Sequence, residues 1–201
     1  MKKFVIVLIA AVLCIFTTSL FGQIGLNGIG GFASLLDPDT PGISGMAFGF
    51  GARANLGTIG EKIGFGAEFK YWSKGEEEKG FGYTAKLTVS SIHINALAHY
   101  NFTSVGGGIR PYAGAGLGLV IGKVKSEATF TSMANSRPGV RSSVPASSSY
   151  SESETDLAIA LRGGIDYDLS DNLTLNAEFR YSIGGWDYWG ILCGVMYNLK
   201  K

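Results

Sequence analysis

The sequence predicts an all-β fold: an eight-stranded antiparallel up-and-down transmembrane β-barrel, following a cleaved signal peptide. Three observations carry this. Apolar and polar residues alternate with period two along most of the chain after Gln23, a pattern that sorts side chains onto two faces of a strand and onto no helical stripe. The strands so defined are even in number, and the links between them are short at one end and long at the other. The non-apolar face consists of glycine, alanine and sparse charge, which suits the crowded interior of a small barrel better than a solvent surface.

The chain has 201 residues, room for one domain of moderate size. Charged residues make up 16% and hydrophobic residues 46%, which argues against disorder. The 30 glycines follow no G-X-Y period, so collagen is excluded. A formal charge of +1 leaves no electrostatic footprint for nucleic acid, and that partner is set aside. Residues 1–22 read as a signal peptide: Lys2 and Lys3, an apolar run from Phe4 to Phe16, then Thr17, Thr18, Ser19 and a cleavage point before Gln23. That run is short for a helical span. Its two lysines leave with it, so the charge of +1 becomes −1 for the barrel domain, residues 23–201. Cys14 falls in the signal, preceded by Leu13 where lipoprotein acylation takes a small residue. Cys193 then stands alone, and no intrachain disulfide forms.

The first strand, about 24–36, is Gly-rich and alternates poorly. The second, 43–56, carries Gly45, Ala47, Gly49, Gly51 and Arg53 on its non-apolar face. In the third, 63–73, Ile63, Phe65, Ala67, Phe69 and Tyr71 oppose Gly64, Gly66, Glu68 and Lys70. The fourth, 83–102, sets Ile92, Ile94, Ala96, Ala98, Tyr100 and Phe102 against Ser91, His93, Asn95 and His99. Its apolar stripe changes parity after Val89, which predicts a bulge. The fifth, 110–125, opens with Pro111. In the sixth, Leu157, Ile159, Leu161, Ile165 and Tyr167 oppose Ala158, Ala160, Arg162, Gly164 and Asp166. The seventh, 173–183, is the clearest, with Leu173, Leu175, Ala177, Phe179, Tyr181 and Ile183 on one face. The eighth carries Trp189, Ile191, Cys193, Val195, Tyr197 and Leu199 as one stripe.

On the side of the N-terminus the links are 57–62, 103–109 and 168–172. On the other side they are 37–42, 74–82, 126–155 and 184–188, longer on average and more polar. The 126–155 segment is Ser-rich and broken by Pro138 and Pro145, which reads as a disordered cap or an interaction surface. Short turns at one end and long loops at the other are the signature of a barrel in the bacterial outer membrane.

The apolar face then looks out to lipid. Two aromatic girdles fit this orientation: Tyr100, Phe102, Tyr112, Tyr167 and Tyr197 near the short-turn end, and Tyr71, Trp72, Tyr83, Tyr181, Trp186, Tyr188 and Trp189 near the long-loop end. Charges on the other face nearly balance. Arg53, Lys70, Arg162 and Arg180 stand with Glu68, Asp166 and Glu178, and with His93 they form the expected polar network of the lumen, since buried charge must be paired or solvated.

The chain resembles the small eight-stranded outer-membrane barrels, the OmpA-like transmembrane domain and its OmpX- and Ail-like relatives. Arg110-Pro111-Tyr112-Ala113-Gly114-Ala115-Gly116-Leu117-Gly118 is similar to their fifth strand, and Gly163 to Tyr181 to their sixth-to-seventh hairpin. The ending Gly194-x-x-Tyr197-x-Leu199 resembles the C-terminal signal read by the barrel-assembly machinery, with Leu192 in place of a polar residue and Lys200-Lys201 following. The resemblance implies an envelope protein of Gram-negative cells whose partners are outer-membrane lipid and that machinery. It specifies architecture better than activity.

Four patterns invite an enzymatic, cofactor or metal reading. Ser91, His93 and Asn95 share one strand face, with neighbouring Cα atoms about 6.6 Å apart, and resemble in outline the centre of a membrane-embedded phospholipase. Polar packing of the lumen accounts for the same three residues. His93 and His99 lie about 20 Å apart on one strand, too far to share an ion. Gly28-x-Gly30-x-x-Ala33 matches a dinucleotide fingerprint with no helix behind it. Glu76, Glu77 and Glu78 read as a solvated loop tip. The expectation is therefore no catalytic residue, no metal and no cofactor. The protein would support envelope integrity or display loops for surface interaction, with an extracellular partner reached through 126–155. A small-solute or ion pore is the alternative, and a lipid-modifying enzyme the second.

Overall fold

The computed structural model describes residues 25–40, 42–60, 62–81, 83–103, 108–130 and 146–199. The signal-peptide segment, residues 1–22, lies outside them, as does the middle of the 126–155 segment. Eight strands run in chain order: β1 (Gly28–Pro38), β2 (Ala47–Ile59), β3 (Ile63–Gly80), β4 (Tyr83–Asn101), β5 (Ile109–Phe130), β6 (Ala146–Ser170), β7 (Leu173–Ile183) and β8 (Tyr188–Asn198). Each pairs antiparallel with the next, and β8 pairs back with β1, from Gly28↔Asn198 to Pro38↔Tyr188. The sheet is thus closed, and every strand has two neighbours. In hydrocarbon only such closure, or a helix, satisfies all backbone polar groups.

β1, β7 and β8 have 11 residues each. That is about 36 Å of strand, which at a tilt of about 40° crosses about 28 Å, close to the hydrocarbon thickness of a bilayer. The outward face is apolar and open all round: Leu35, Phe50, Ile94, Leu117, Leu161, Phe179 and Ile191 are each about half exposed. A continuous belt of that kind is foreign to a protein in water and proper to one in lipid. The inward face is buried and carries the charge.

Five strands depart from the expected bounds by more than a residue, among them β1, which begins at Gly28, four residues later than expected, and ends at Pro38. β3 continues to Gly80 and forms a hairpin with β4 through Phe81, so 74–80 is strand where a loop was expected, and Glu76, Glu77 and Glu78 are strand residues. β5 continues to Phe130 and β6 begins at Ala146, so residues 126–130 and 146–155 are paired strand where a disordered cap was expected. Ladder hydrogen bonds hold these polar stretches without any apolar stripe. The second strand begins at Ala47, four residues later than expected. Because β7 reaches only to Ile183, opposite Ile159, strands β3 to β6 rise beyond the rest as a wall on one side of the rim.

The bulge expected after Val89 does not occur. β4 pairs through Val89, Ser90 and Ser91 with β3 and β5 without a register shift. The parity change reflects a change in what fills the lumen: inward Val89 joins an apolar cluster with Leu36, Ile43, Ala47, Trp72 and Tyr188, while inward Ser91, His93 and Asn95 belong to the polar section below it. Register shifts occur instead at Asn55/Gly57 in β2 and at Asp168/Ser170 in β6. At the first, Gly57 takes φ +103°, open to glycine, and its N–H donates to Asn55 Oδ1 at 2.9 Å.

The girdles are also thinner than expected. Tyr112, Trp72 and Tyr188 turn inward and are buried, and Trp186 packs edge-on against Trp72 with centroids 6.2 Å apart. Tyr83 stands on the wall, at the β3–β4 hairpin. Tyr100, Phe102, Tyr167 and Tyr197 at one end, and Tyr181 and Trp189 at the other, are the rings that remain exposed on the outside.

Candidate functional site

Alternate residues of the strands point at one axis, so side chains far apart in sequence meet there. Glu178, from β7, is the hub. Its Oε2 lies 2.6 Å from Arg162 Nη2 and 3.1 Å from Arg53 Nη2, and accepts a hydrogen bond from the Tyr112 hydroxyl at 2.7 Å. Its Oε1 accepts from Arg180 Nε at 2.9 Å and Nη2 at 2.5 Å. Glu68, from β3, is the second centre. Arg53 donates to its Oε2 through Nε at 3.0 Å and Nη2 at 2.7 Å. Arg180 reaches the same oxygen at 2.9 Å and pairs with Oε1 through Nη1. Asn95 Nδ2 donates to Oε1 at 3.4 Å.

Both carboxylate side chains and that of Arg180 have no exposure at all. Isolated charges in that position would cost several kcal/mol each, and dense pairing is what makes them tolerable. Arg53, Glu68, Tyr112, Arg162, Glu178 and Arg180 come from β2, β3, β5, β6 and β7, so the cluster ties opposite walls across the lumen.

The other three expected members lie apart from this cluster. Asp166 accepts from Asn176 Nδ2 at 2.6 Å and makes no ion pair among the described residues. Asn176 Nδ2 also donates to the Tyr112 hydroxyl at 2.8 Å, and its Oδ1 accepts from Arg53 Nη1 at 3.3 Å, which links Asp166 to the hub at second hand. Lys70 is buried one layer higher with its Nζ 3.5 Å from the centre of the Tyr188 ring, a cation–π position. His93 Nε2 accepts from Trp72 Nε1 at 3.1 Å and lies 3.1 Å from Ser91 Oγ. A nitrogen that accepts the indole N–H carries no proton itself, so the Ser91 hydroxyl donates to it as well.

The Ser91–His93 contact therefore forms, without the rest of a hydrolytic centre. Asn95 turns to Glu68, away from the imidazole. Ser91 and His93 are buried in the lumen, at 1% and 0% exposure, where no acyl chain arrives. The Gly28–Ala33 stretch is β1 itself, and no phosphate-binding turn stands there.

Tyr112, Asn176, Asn95, Trp72 and Tyr188 are lumen residues that charge counting passes over. Parity identifies some of them: Tyr112 shares its face with Gly114, Gly116 and Gly118, the small inward residues of β5. Below the hub, toward the short turns, a cavity of about 70 Å³ opens, lined by Arg53, His99, Arg110 and Asp166 together with the apolar Phe65, Leu97 and Met196. Arg110 pairs with Asp168 beside it. Above the hub, the Trp72–Tyr188 layer and the apolar cluster fill the axis.

Residues 5–198 match the family model of the outer membrane protein β-barrel domain. No curated protein of matching sequence is found. Among solved structures, the Neisserial surface protein A is similar at 18% identity and a TM-score of 0.55, covering 87% of this chain and 98% of that one. Ail, the attachment invasion locus protein of Yersinia pestis, solved with the heparin analogue sucrose octasulfate, is 18% identical with a TM-score of 0.48, covering 85% and 95%. The N-terminal β-barrel domain of Pseudomonas aeruginosa OprF is 17% identical with a TM-score of 0.40, covering 87% and 99%.

Proposed function

The chain belongs to the outer membrane protein β-barrel family and resides in the bacterial outer membrane; from that premise we propose that it is a closed, non-enzymatic barrel that supports the envelope and holds its long-loop end at the cell surface. One observation carries the reading: the axis is filled at two successive levels. The Glu178–Arg180–Glu68 cluster closes the middle with fully buried charges, and Trp72, Tyr188, Leu36 and Val89 close the level above. Water and ions would have to displace both. Short turns on the periplasmic side and the taller wall outside follow the usual orientation of such barrels.

Residues 1–22 act in this reading as the export signal. Gly194, Tyr197 and Leu199 act as the signal to the barrel-assembly machinery, with Tyr197 and Leu199 exposed on the lipid side. The wall around 126–155 is the part offered to an extracellular partner. Single-channel recording of the purified barrel in planar bilayers tests the closed reading. Absence of steady conductance is expected, and steady ion-sized steps would overturn it. A small-solute pore is the second reading, favoured by the cavity below the hub, which Arg162 also lines; it predicts that Arg162→Ala changes conductance. The lipid-modifying reading draws no support from Ser91, for the geometric reasons above.

A further inference from the structure

Above the rim, the face of the wall that continues the lumen side has its own chemistry. Register gives its rows: Lys74, Val89, Val124 and Glu152; then Glu76, Leu87, Ser126 and Tyr150; then Glu78, Ala85, Ala128 and Ser148; and at the top Gly80, Tyr83, Phe130 and Ala146. Its base is covered, since Leu87 and Val124, with Trp186, pack against the apolar cluster that holds Leu36, Ile43, Trp72, Val89 and Tyr188. Among the described residues its upper part is uncovered. Tyr83, Phe130 and Tyr150 are 40%, 52% and 61% exposed, above the lipid belt where exposed rings serve no membrane. Glu78, Glu152 and Glu154 stand on the same face and pair with no cation among the described residues. Lys74, its one cation among the described residues, is turned to the Met46 carbonyl at 3.1 Å. The outer face differs: Lys79, Lys86, Lys123 and Lys125 meet Glu77 and Glu127 there, with ion pairs Lys79–Glu77 at 2.8 Å and Lys125–Glu127 at 2.5 Å. The wall thus has one charge-compensated face and one that is acidic and aromatic.

We propose that the inward face of the wall is a docking surface for an extended cationic polypeptide segment with lysine or arginine at alternate positions. Uncompensated carboxylates and exposed rings together select a cation, by Coulomb attraction and by the quadrupole of the ring face. Glu152 and Glu154 are two residues apart on one strand, about 6.6 Å, which is also the spacing of same-face side chains in an extended ligand. Further cations on the same face of the ligand would lie over the rings of Tyr83 and Phe130 at the top of the wall, the kind of exposed patch that marks an interaction site. An acidic glycan or lipid headgroup is repelled by the same carboxylates. The proposal rests on the display reading above, in that the wall must stand outside the cell.

The test places the full barrel in phosphatidylcholine nanodiscs, with empty discs as the blank, and titrates a fluorescent decapeptide of alternating lysine and leucine. Binding is expected, and the Glu78→Gln/Glu152→Gln/Glu154→Gln variant should weaken it roughly tenfold or more. Tyr83→Ser/Phe130→Ser should weaken it separately, whereas Lys123→Gln/Lys125→Gln on the outer face should leave it unchanged. Folding of each variant is checked by its heat-dependent gel mobility. Equal binding by all variants, or equal binding of an alternating glutamate and leucine peptide, overturns the proposal. So does binding that appears only in Arg137→Gln/Arg141→Gln, which would mean that the chain's own arginines occupy the face. Conductance of the same preparations separates the two readings: a silent barrel that binds no peptide loses only the docking surface, and a conducting barrel that binds loses only the closed lumen.

Discussion

Arg162 and Arg180 stand directly opposite each other across the β6–β7 ladder, two guanidiniums on one inward face. Like charges in opposed positions destabilise a sheet. Glu178 makes the pair tolerable, reaching Arg162 at 2.6 Å and Arg180 at 2.5 Å. Replacing Glu178 by Gln keeps the shape and removes the charge, leaving Glu68 to face three arginines. The expected cost is about 3–5 kcal/mol of barrel stability, read as a lower urea midpoint of the heat-modifiable band in detergent. Arg162→Met in the same background should recover part of it. A loss below about 1 kcal/mol would place the hub's role elsewhere than in stability.

Cys193 points outward in the middle of β8, between Ala33 and Ala177 of the flanking strands. In lipid vesicles it should resist a charged maleimide, react with an apolar one, and carry a fluorophore that brominated lipid quenches. Rapid reaction with the charged reagent in vesicles would contradict a lipid-facing stripe.

Gly194 has a packing reason for being glycine in addition to any signal it carries. A Cβ there would lie 2.7 Å from the Gly31 carbonyl oxygen and 2.8 Å from Phe32 Cβ. Gly194→Val should therefore refold poorly into detergent, where no assembly machinery is present. Tyr197→Ala removes an exposed ring and should refold normally in vitro while accumulating less in the outer membrane of cells. If both variants behave alike in vitro, packing and signal are not separable in this way.

Glu76 fastens the β1–β2 loop to the wall: its Oε1 accepts from the Ser44 N–H at 2.5 Å and from the Ser44 hydroxyl at 2.8 Å. Those two bonds favour the carboxylate and hold its pKa below the ordinary 4.5. A carboxyl with a depressed folded-state pKa lends its support above the unfolded value and loses it as pH falls through the lower folded one. The tie should thus be intact at neutral pH and open in acid. The Ser44 amide resonance should titrate with a midpoint below 4.5 and stay flat in Glu76→Gln. A midpoint at or above the ordinary value would mean that the bonds do not persist in solution.

Alternation made most of the barrel legible because lipid enforces it. β7 begins at Leu173 and ends at Ile183, the bounds its apolar stripe marks in the sequence. Where lipid no longer selects, the signal fades: Ser147 to Ser153 and Glu76 to Glu78 pair as well as any strand, yet neither face has to be apolar, so the sequence reads as loop. Val89 misled for the converse reason, since the upper lumen is as apolar as the outside. Within the site, parity shows which charges turn inward, but partner choice is set across the barrel. That Glu178 gathers three arginines while Asp166 is left with Asn176 depends on strand stagger, which no single strand encodes. Trp72 and Tyr188 sit beside outward aromatics in the sequence and differ from them only in phase.

The seam between β1 and β8 joins the strand synthesised first to the one synthesised last. A ring lacking its final member has two raw margins, and in hydrocarbon each unsatisfied backbone group there costs several kcal/mol. Folding is therefore all or nothing in time as well as in energy. A chain without Tyr188–Asn198 cannot close the ring, so loss of that one strand costs the whole barrel and not an eighth of it.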